Sequence, residues 1–317
     1  MYALTGTTGK IGGAVLQAIL KYKIIPINEL VICTSSSPSS SQWDTLKSGG
    51  AQIRSSNYDD PESMVQAFSG CEKLFLVSTP RIEMDFNDAP YGEGREKHHF
   101  AAIDAARKAG VKHLFYTSLA FGDESPAGVM RAHLRTEAYL KKLSTDAFKV
   151  TIIREGLYNE SWPLYFGHYN VKNEQRTEFV IAGDGPISWT SVPDLGVANA
   201  LVLADPSEKY VGKTFYLSNQ EEATTLEELA KLVVAAGGKE TRVKVVSADE
   251  YCKYYNSKEG QSMGPMIPWW VGSYQALEAQ ECWIKERQVS FSELLSSKGV
   301  TPLSIKDTVK EMLAGKQ

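Results

Sequence analysis

Three glycines within the first dozen residues constrain this chain more than any other feature. Thr5-Gly6-Thr7-Thr8-Gly9-Lys10-Ile11-Gly12 follows an apolar stretch, Tyr2–Thr5. It precedes a helical pattern from Lys10 to Lys21, in which Ile11, Val15, Leu16, Ile19 and Leu20 recur at helical spacing. A strand that passes into a helix this quickly needs Gly6 for the tight turn, Gly9 for close approach of a ligand, and Gly12 for contact between helix and sheet. The helix start then offers unpaired N–H groups and the positive end of its dipole to an anion such as a pyrophosphate. A glycine triplet also serves as a plain turn; its place at the head of an alternating chain gives it weight.

That alternation continues through the first half. The pattern predicts strands at Leu30–Thr34, Ala51–Arg54, Lys73–Ser78, Val111–Ser118 and Val150–Arg154. It predicts helices from Pro61 through Phe68, from Gly94 to Ala109 before Gly110, and near Gly128–Leu143. Strands apolar on both faces and separated by helices predict an α/β fold: a doubly wound parallel sheet of Rossmann type. After Glu155 the segments shorten and aromatics become denser. A capped helix is expected at Ser191–Ala204 with Asp194 near its start, a strand at Lys213–Ser218 and a helix at Thr225–Ala236. Beyond Gly237 the chain reads as mostly helical, ending in Leu303–Leu313. The expected division is a nucleotide-binding domain over 1–155 and a smaller, mainly helical substrate lobe over 156–317, interleaved with the last strands of the sheet.

Composition removes several classes of function. In 317 residues, 34 Lys+Arg oppose 38 Asp+Glu, and the acidity is spread along the chain, which argues against a nucleic-acid surface. A hydrophobic content of 43% excludes general disorder, while no apolar run approaches the ~18 residues of a membrane span. Cys33, Cys71, Cys252 and Cys282 form no C-x-x-C pair, so neither a zinc site nor a disulfide framework is expected, and no metal is assigned. With a strand beginning at Tyr2, no leader segment is expected, and the chain reads as cytoplasmic, a monomer or homodimer acting on a small molecule.

The glycine spacing G-x-x-G-x-x-G resembles the short-chain dehydrogenase/reductase superfamily, particularly its extended and atypical branches. An NAD site usually has Asp or Glu about 20 residues after the glycines. Here Cys33-Thr34-Ser35-Ser36-Ser37 carries no carboxylate to repel a 2′-phosphate and hydroxyls that can donate to one, although no arginine is present. The reading favours NADP(H) and leaves NAD(H) open; Ser35–Ser41 also fits a plain surface loop. The superfamily's Tyr-x-x-x-Lys acid pair is missing where it is wanted. The Gly128–Leu143 helix holds His133, Arg135, Glu137 and Tyr139, but Leu143 stands four residues after Tyr139. Tyr254 and Lys258 match the spacing deep in the C-terminal half, as chance allows. Ser118 ends the fifth strand, in the place of the superfamily serine. Without the pair, acceptors that delocalise the incoming electrons suit the site better than simple ketones, and orientation and water exclusion matter most.

Further segments narrow the resemblance. Tyr58–Met64, Gly110–Thr117, His133-Leu134-Arg135-Thr136-Glu137, Ala182–Asp194 and Lys213–Leu217 are similar to the NmrA-like atypical short-chain dehydrogenase/reductase family, which includes quinone and triphenylmethane reductases. The resemblance implies NADP(H) and either hydride transfer to an aromatic acceptor or redox sensing with a partner protein. It assigns the cofactor to Gly6–Gly12, Ser35, Ser36, Asn57 and Tyr58. The nicotinamide falls to Ser78, Thr79, Pro80, Thr117, His133 and Gly156, Leu157 and Tyr158. Three departures stand out: Ser35 in place of an arginine, Asn57 in place of an aspartate, and Glu155 in place of proline or asparagine.

His133 and Ser118 are the catalytic candidates, although His133, one turn from Glu137, also fits an exposed ion pair. Leu119, Ala120, Phe121, Tyr158, Trp162, Trp189 and Trp269 are the substrate-wall candidates, and core packing explains the aromatics equally well. His98 and His99 read as a solvated helix face, and His113 as core or edge. The leading reading is an NADP(H)-dependent reductase of a quinone or another extended aromatic. Alternatives are a non-enzymatic dinucleotide sensor and a reductase or isomerase of a natural-product pathway.

Overall fold

The computed structural model describes residues 1–257, 264–285 and 288–315. Its strands are β1 (Tyr2–Leu4), β2 (Leu30–Thr34), β3 (Gln52–Ser55), β4 (Lys73–Leu76) and β5 (His113–Leu119). They continue as β6 (Lys149–Glu155), β7 (Glu178–Ile181), β8 (Thr214–Leu217) and β9 (Arg242–Val245). Between the early strands run α1 (Lys10–Tyr22), α2 (Asp44–Ser48), α3 (Pro61–Phe68), α4 (Glu96–Lys108) and α5 (Gly128–Leu143). Later come α6 (Trp162–Tyr165), α7 (Val192–Ala204), α8 (Leu226–Ala235) and α9 (Ala248–Asn256). The last helices are α10 (Met266–Glu278), α11 (Phe291–Ser296) and α12 (Ile305–Leu313).

Seven strands form one parallel sheet in the order β3-β2-β1-β4-β5-β6-β8. Period-two alternation sends Phe75 to the side of α1 and α7, and Leu74 and Leu76 to the side of α3, α4 and α5. Both faces are therefore covered, which explains why β2 is buried at all five positions. α7 is buried almost all round because it packs with the sheet, α1 and α11 in one core. At Gly196 a Cβ would stand 2.6 Å from the backbone of Ala14 on α1. A third core in the second half gathers Trp162, Trp189, Phe166, Phe179 and Tyr274.

The sequence reading of the last third is corrected in one respect. Arg242–Val245 is a strand, paired in parallel with Glu178–Ile181 to form a separate two-stranded sheet. β9 is short, charged and largely exposed, so neither burial nor propensity marks it; a partner about 60 residues away does. The 3₁₀ segment Ile82–Asp88 after β4 was also without a sequence signal. Among the described residues no helix is long and apolar enough to cross a membrane.

Candidate active site

The chain leaves β1 toward β2 on one side and reaches β4 on the other, so a crevice opens at the carboxyl ends of β1 and β4. A cavity of about 640 Å³ lies there. Thr5 through Gly12 form its floor. Gly6 adopts φ +64°, which an L side chain rarely does, and Gly9 N–H returns to Gly6 O at 2.9 Å. A Cβ on Gly12 would lie 2.3 Å from Gly6 O, so only glycine lets α1 start this close to the turn. Gly13 N–H closes the first helical bond onto Gly9 O (3.0 Å) and no side chain caps the helix, so the N–H groups of Lys10, Ile11 and Gly12 lack intrahelical partners. Thr5 Oγ1 fastens the loop to β4, accepting from Val77 N (2.9 Å) and donating to Phe75 O (3.2 Å).

Two further cavity groups wait for a partner. Thr7 Oγ1 and Thr79 Oγ1 are buried without a hydrogen bond, and both residues line the cavity. Buried hydroxyls are costly in that state, which fits a polar ligand between them. One end of the cavity is walled by Cys33, Thr34, Ser35, Ser56, Asn57 and Tyr58. Ser36 is exposed and outside the wall, its N–H given to Thr34 Oγ1 (3.1 Å). Asn57 Oδ1 accepts from Asp59 N (3.0 Å), while Tyr58 donates to Val77 O (2.8 Å) and stacks on His98. The Arg81 guanidinium pairs with both Asp59 oxygens (2.8 and 2.7 Å), linking the loop after β4 to that after β3.

The other end holds Ser78, Thr79, Pro80, Leu119, His133 and Tyr158. A buried network fixes His133. Thr79 N–H donates to His99 Nε2 (3.1 Å), so His99 keeps its hydrogen on Nδ1, facing Thr136 Oγ1 at 2.8 Å. Thr136 passes its own hydrogen to Ala132 O (2.7 Å). The His99 Nδ1 hydrogen also faces Tyr116 Oη (3.2 Å), so the Tyr116 hydroxyl donates to His133 Nδ1 (2.9 Å), and the network assigns the His133 hydrogen to Nε2, which has no protein partner among the described residues. Burial first, and then Arg95, hold His133 well below the usual histidine range, so it is a neutral donor at physiological pH. Arg95 itself is buried, with Nε on Asp85 (2.6 Å), Nη1 on Thr79 O (3.4 Å) and Nη2 on Val129 O (2.8 Å), and it ties the Thr79 loop to α5. His98 and His99 are thus buried, not on the solvated face that the surrounding Arg95, Glu96 and Lys97 suggest. His113 is core, bonded to Thr151 Oγ1 (2.7 Å).

Several sequence candidates lie away from the cavity. Ser118 is fully buried and donates to Glu137 Oε1 (2.6 Å), on the face where Arg154 grips Glu137 (2.7 and 3.0 Å) and Asp123 (2.6 Å). Thr117 stands behind the wall, its Oγ1 accepting from Ser78 N (3.2 Å). At Gly156 a Cβ would meet Thr190 Oγ1 at 2.3 Å, so that backbone is wedged against β8 and its neighbours; Leu157 is buried behind it. Ala120, Phe121, Trp162, Trp189 and Trp269 are core side chains outside the cavity wall. Lys258 lies outside the described residues. Asp194 accepts from Leu303 N (2.7 Å), and Ser191 supplies the cap of α7.

Sequence reasoning missed the partners of Glu155. This carboxyl, at the end of β6, is buried and receives the Tyr158 hydroxyl (2.8 Å) and Asn199 Nδ2 (2.9 Å). Burial pushes it up to about 8. Its departure from the family pattern was visible, but the Asn199 contact joins residues 44 apart. Among the described residues no cluster of His, Cys, Asp and Glu fits a metal.

An NmrA-like family oxidoreductase of Aspergillus flavus is 31% identical over 253 residues, 79% of this chain and 76% of that one. The NADPH-dependent quinone oxidoreductase of Escherichia coli, solved with NADPH, superposes with a TM-score of 0.76 at 25% identity, covering 98% and 99% of the two chains. The Citrobacter sp. triphenylmethane reductase complexed with NADP(H) gives 0.73 at 26%, with 98% and 99% covered. The NmrA-like family profile spans residues 2–294, and with it the glycine turn, the cavity and the sheet; the chain belongs to the NmrA-like family.

Proposed function

We propose that this chain is an NADPH-dependent reductase that delivers hydride to a quinone or another extended aromatic acceptor. The observation that carries the reading is the uncapped start of α1, opening into a cavity that ends at His133 and Tyr158. The N–H groups of Lys10, Ile11 and Gly12 would hold the pyrophosphate, with the orphaned Thr7 and Thr79 hydroxyls as additional donors. The adenosine would lie toward Ser35, Asn57 and Tyr58, and the nicotinamide toward Thr79, Pro80 and His133. NADPH supplies the hydride. His133 Nε2–H donates a fixed, uncharged hydrogen bond at that end of the cavity. No Tyr-x-x-x-Lys pair lines the cavity among the described residues, which suits acceptors that spread the arriving charge. The named relatives, two of them reductases solved with NADPH or NADP(H), support the same chemistry.

NADPH oxidation in the presence of quinones, cationic triarylmethane dyes and imines tests the reading, with NADH run in parallel to measure the preference. Turnover of at least one acceptor is expected. Tight NADPH binding with no oxidation by any of them would replace it with a dinucleotide sensor.

A further inference from the structure

Glu155 is a buried carboxyl group with no cation beside it among the described residues. In the sheet it stands between Leu119 of β5 and Leu217 of β8, both in register with it. Its two oxygens meet neutral groups, Tyr158 Oη at 2.8 Å and Asn199 Nδ2 at 2.9 Å; with its proton on Oε2 the acid donates to Tyr158 Oη, which leaves the tyrosine hydrogen free to be donated elsewhere. The neighbouring Arg154 is engaged on the other face of the strand, with Glu137 and Asp123. Lys10 and Asp194 act on Glu160, and Glu160 adds negative charge beside Tyr158. Burial penalises a carboxylate in that setting, so the group is held as the acid. Burial displaces its titration to about 8. Its hydrogen-bond partner Tyr158 is the residue that reaches the cavity.

We propose that Tyr158 and Glu155 form a proton-delivery pair, in which the Tyr158 hydroxyl protonates the oxygen of the reduced acceptor and the Glu155 acid restores the proton to Tyr158. This rests on the reductase reading above. The acceptor gains a hydride from the nicotinamide, and its oxygen forms a new O–H bond as the Tyr158 O–H bond breaks. The tyrosinate takes the carboxyl proton of Glu155, and the resulting carboxylate recovers a proton from water once the product leaves. Net consumption is one hydride and one solvent proton per acceptor. The pair does the work of the missing Tyr-x-x-x-Lys with a neutral acid in place of an ammonium group, and it extends the substrate class to acceptors whose carbonyl oxygen must be protonated. A cationic dye, which gains hydride alone, does not need it.

The test measures NADPH-dependent turnover of a para-quinone and of a cationic triarylmethane dye between about pH 6 and pH 10. It compares the full chain with its Tyr158→Phe and Glu155→Gln variants. For the quinone, wild-type kcat should fall above about pH 8, following Glu155. Tyr158→Phe should lower it by about 10²-fold, and Glu155→Gln should abolish the fall. The loss with the quinone should exceed any loss with the dye in both variants, and the wild-type dye profile should not fall above about pH 8. Independently of turnover, the infrared spectrum of the ligand-free chain at neutral pH should contain a protonated-carboxyl band that Glu155→Gln lacks. Superimposable quinone profiles for wild type and Tyr158→Phe, equal losses with quinone and dye, or absence of that band would overturn the pair alone. A wild type that binds NADPH and reduces neither acceptor would overturn the reductase reading, and the pair with it.

Discussion

Replacing Glu155 with glutamine removes a titration that burial has displaced, and the effect on stability depends on pH in a calculable way. The carboxyl titrates at about 8 in the fold, against about 4.3 for a glutamate in an unfolded chain. Between those values the folded protein retains a proton that the unfolded chain has released, so stability declines as pH rises. The contribution is complete below the unfolded value, is lost through the interval, and is gone above the folded one. At about 1.4 kcal/mol per pH unit, the wild type forfeits about 4 kcal/mol between about pH 5 and pH 8 from this group. Glutamine keeps the volume and an acceptor oxygen for Tyr158 or Asn199 but does not titrate. Urea unfolding of both proteins across this range isolates the residue, because every other group titrates alike in the two. The stability of Glu155→Gln relative to wild type should rise by about 4 kcal/mol from about pH 5 to pH 8 and then level off. A relative stability that stays flat across the interval would refute a protonated Glu155.

Other substitutions separate the parts of the site. Gly12→Ala places a methyl group 2.3 Å from Gly6 O, so turn and helix must separate by about 1 Å; NADPH affinity should fall about 10²-fold by calorimetry. Ser118→Ala removes one hydrogen bond to the Glu137 carboxylate and should cost about 1.5–3 kcal/mol in urea unfolding with kcat unchanged. A collapse of kcat would return Ser118 to the chemistry. Tyr116→Phe withdraws the donor to His133 Nδ1 and frees the imidazole to change tautomer, so NADPH affinity should drop about tenfold in a folded protein.

The sequence made the order of elements legible because local rules suffice for it. Apolar alternation marked β2, β4, β5 and β6, proline opened α3, and three glycines marked the turn into α1. β9 escaped because its strand character comes from β7 rather than from its own residues. Histidines 98 and 99 were misplaced for a related reason. Their charged neighbours predict a wet face, but Tyr58 covers His98 while α5 and the Thr79 loop cover His99, which becomes the acceptor that orders the network around His133. The tryptophans showed the opposite limit, since an aromatic suits a core as well as a pocket, and Trp162, Trp189 and Trp269 are buried in packing.

By itself, the sequence determined the alternation of strands and helices and the glycine turn, because both are written in patterns of residues within a few positions of one another. Only the tertiary structure decided which side chains meet at the far end of the crevice. Ser118 alternates to the Glu137 face of β5, whereas Glu155 and Tyr158 meet Asn199 from α7. Protonation states there follow from burial and from partners distant in the chain, and no local pattern of residues encodes either.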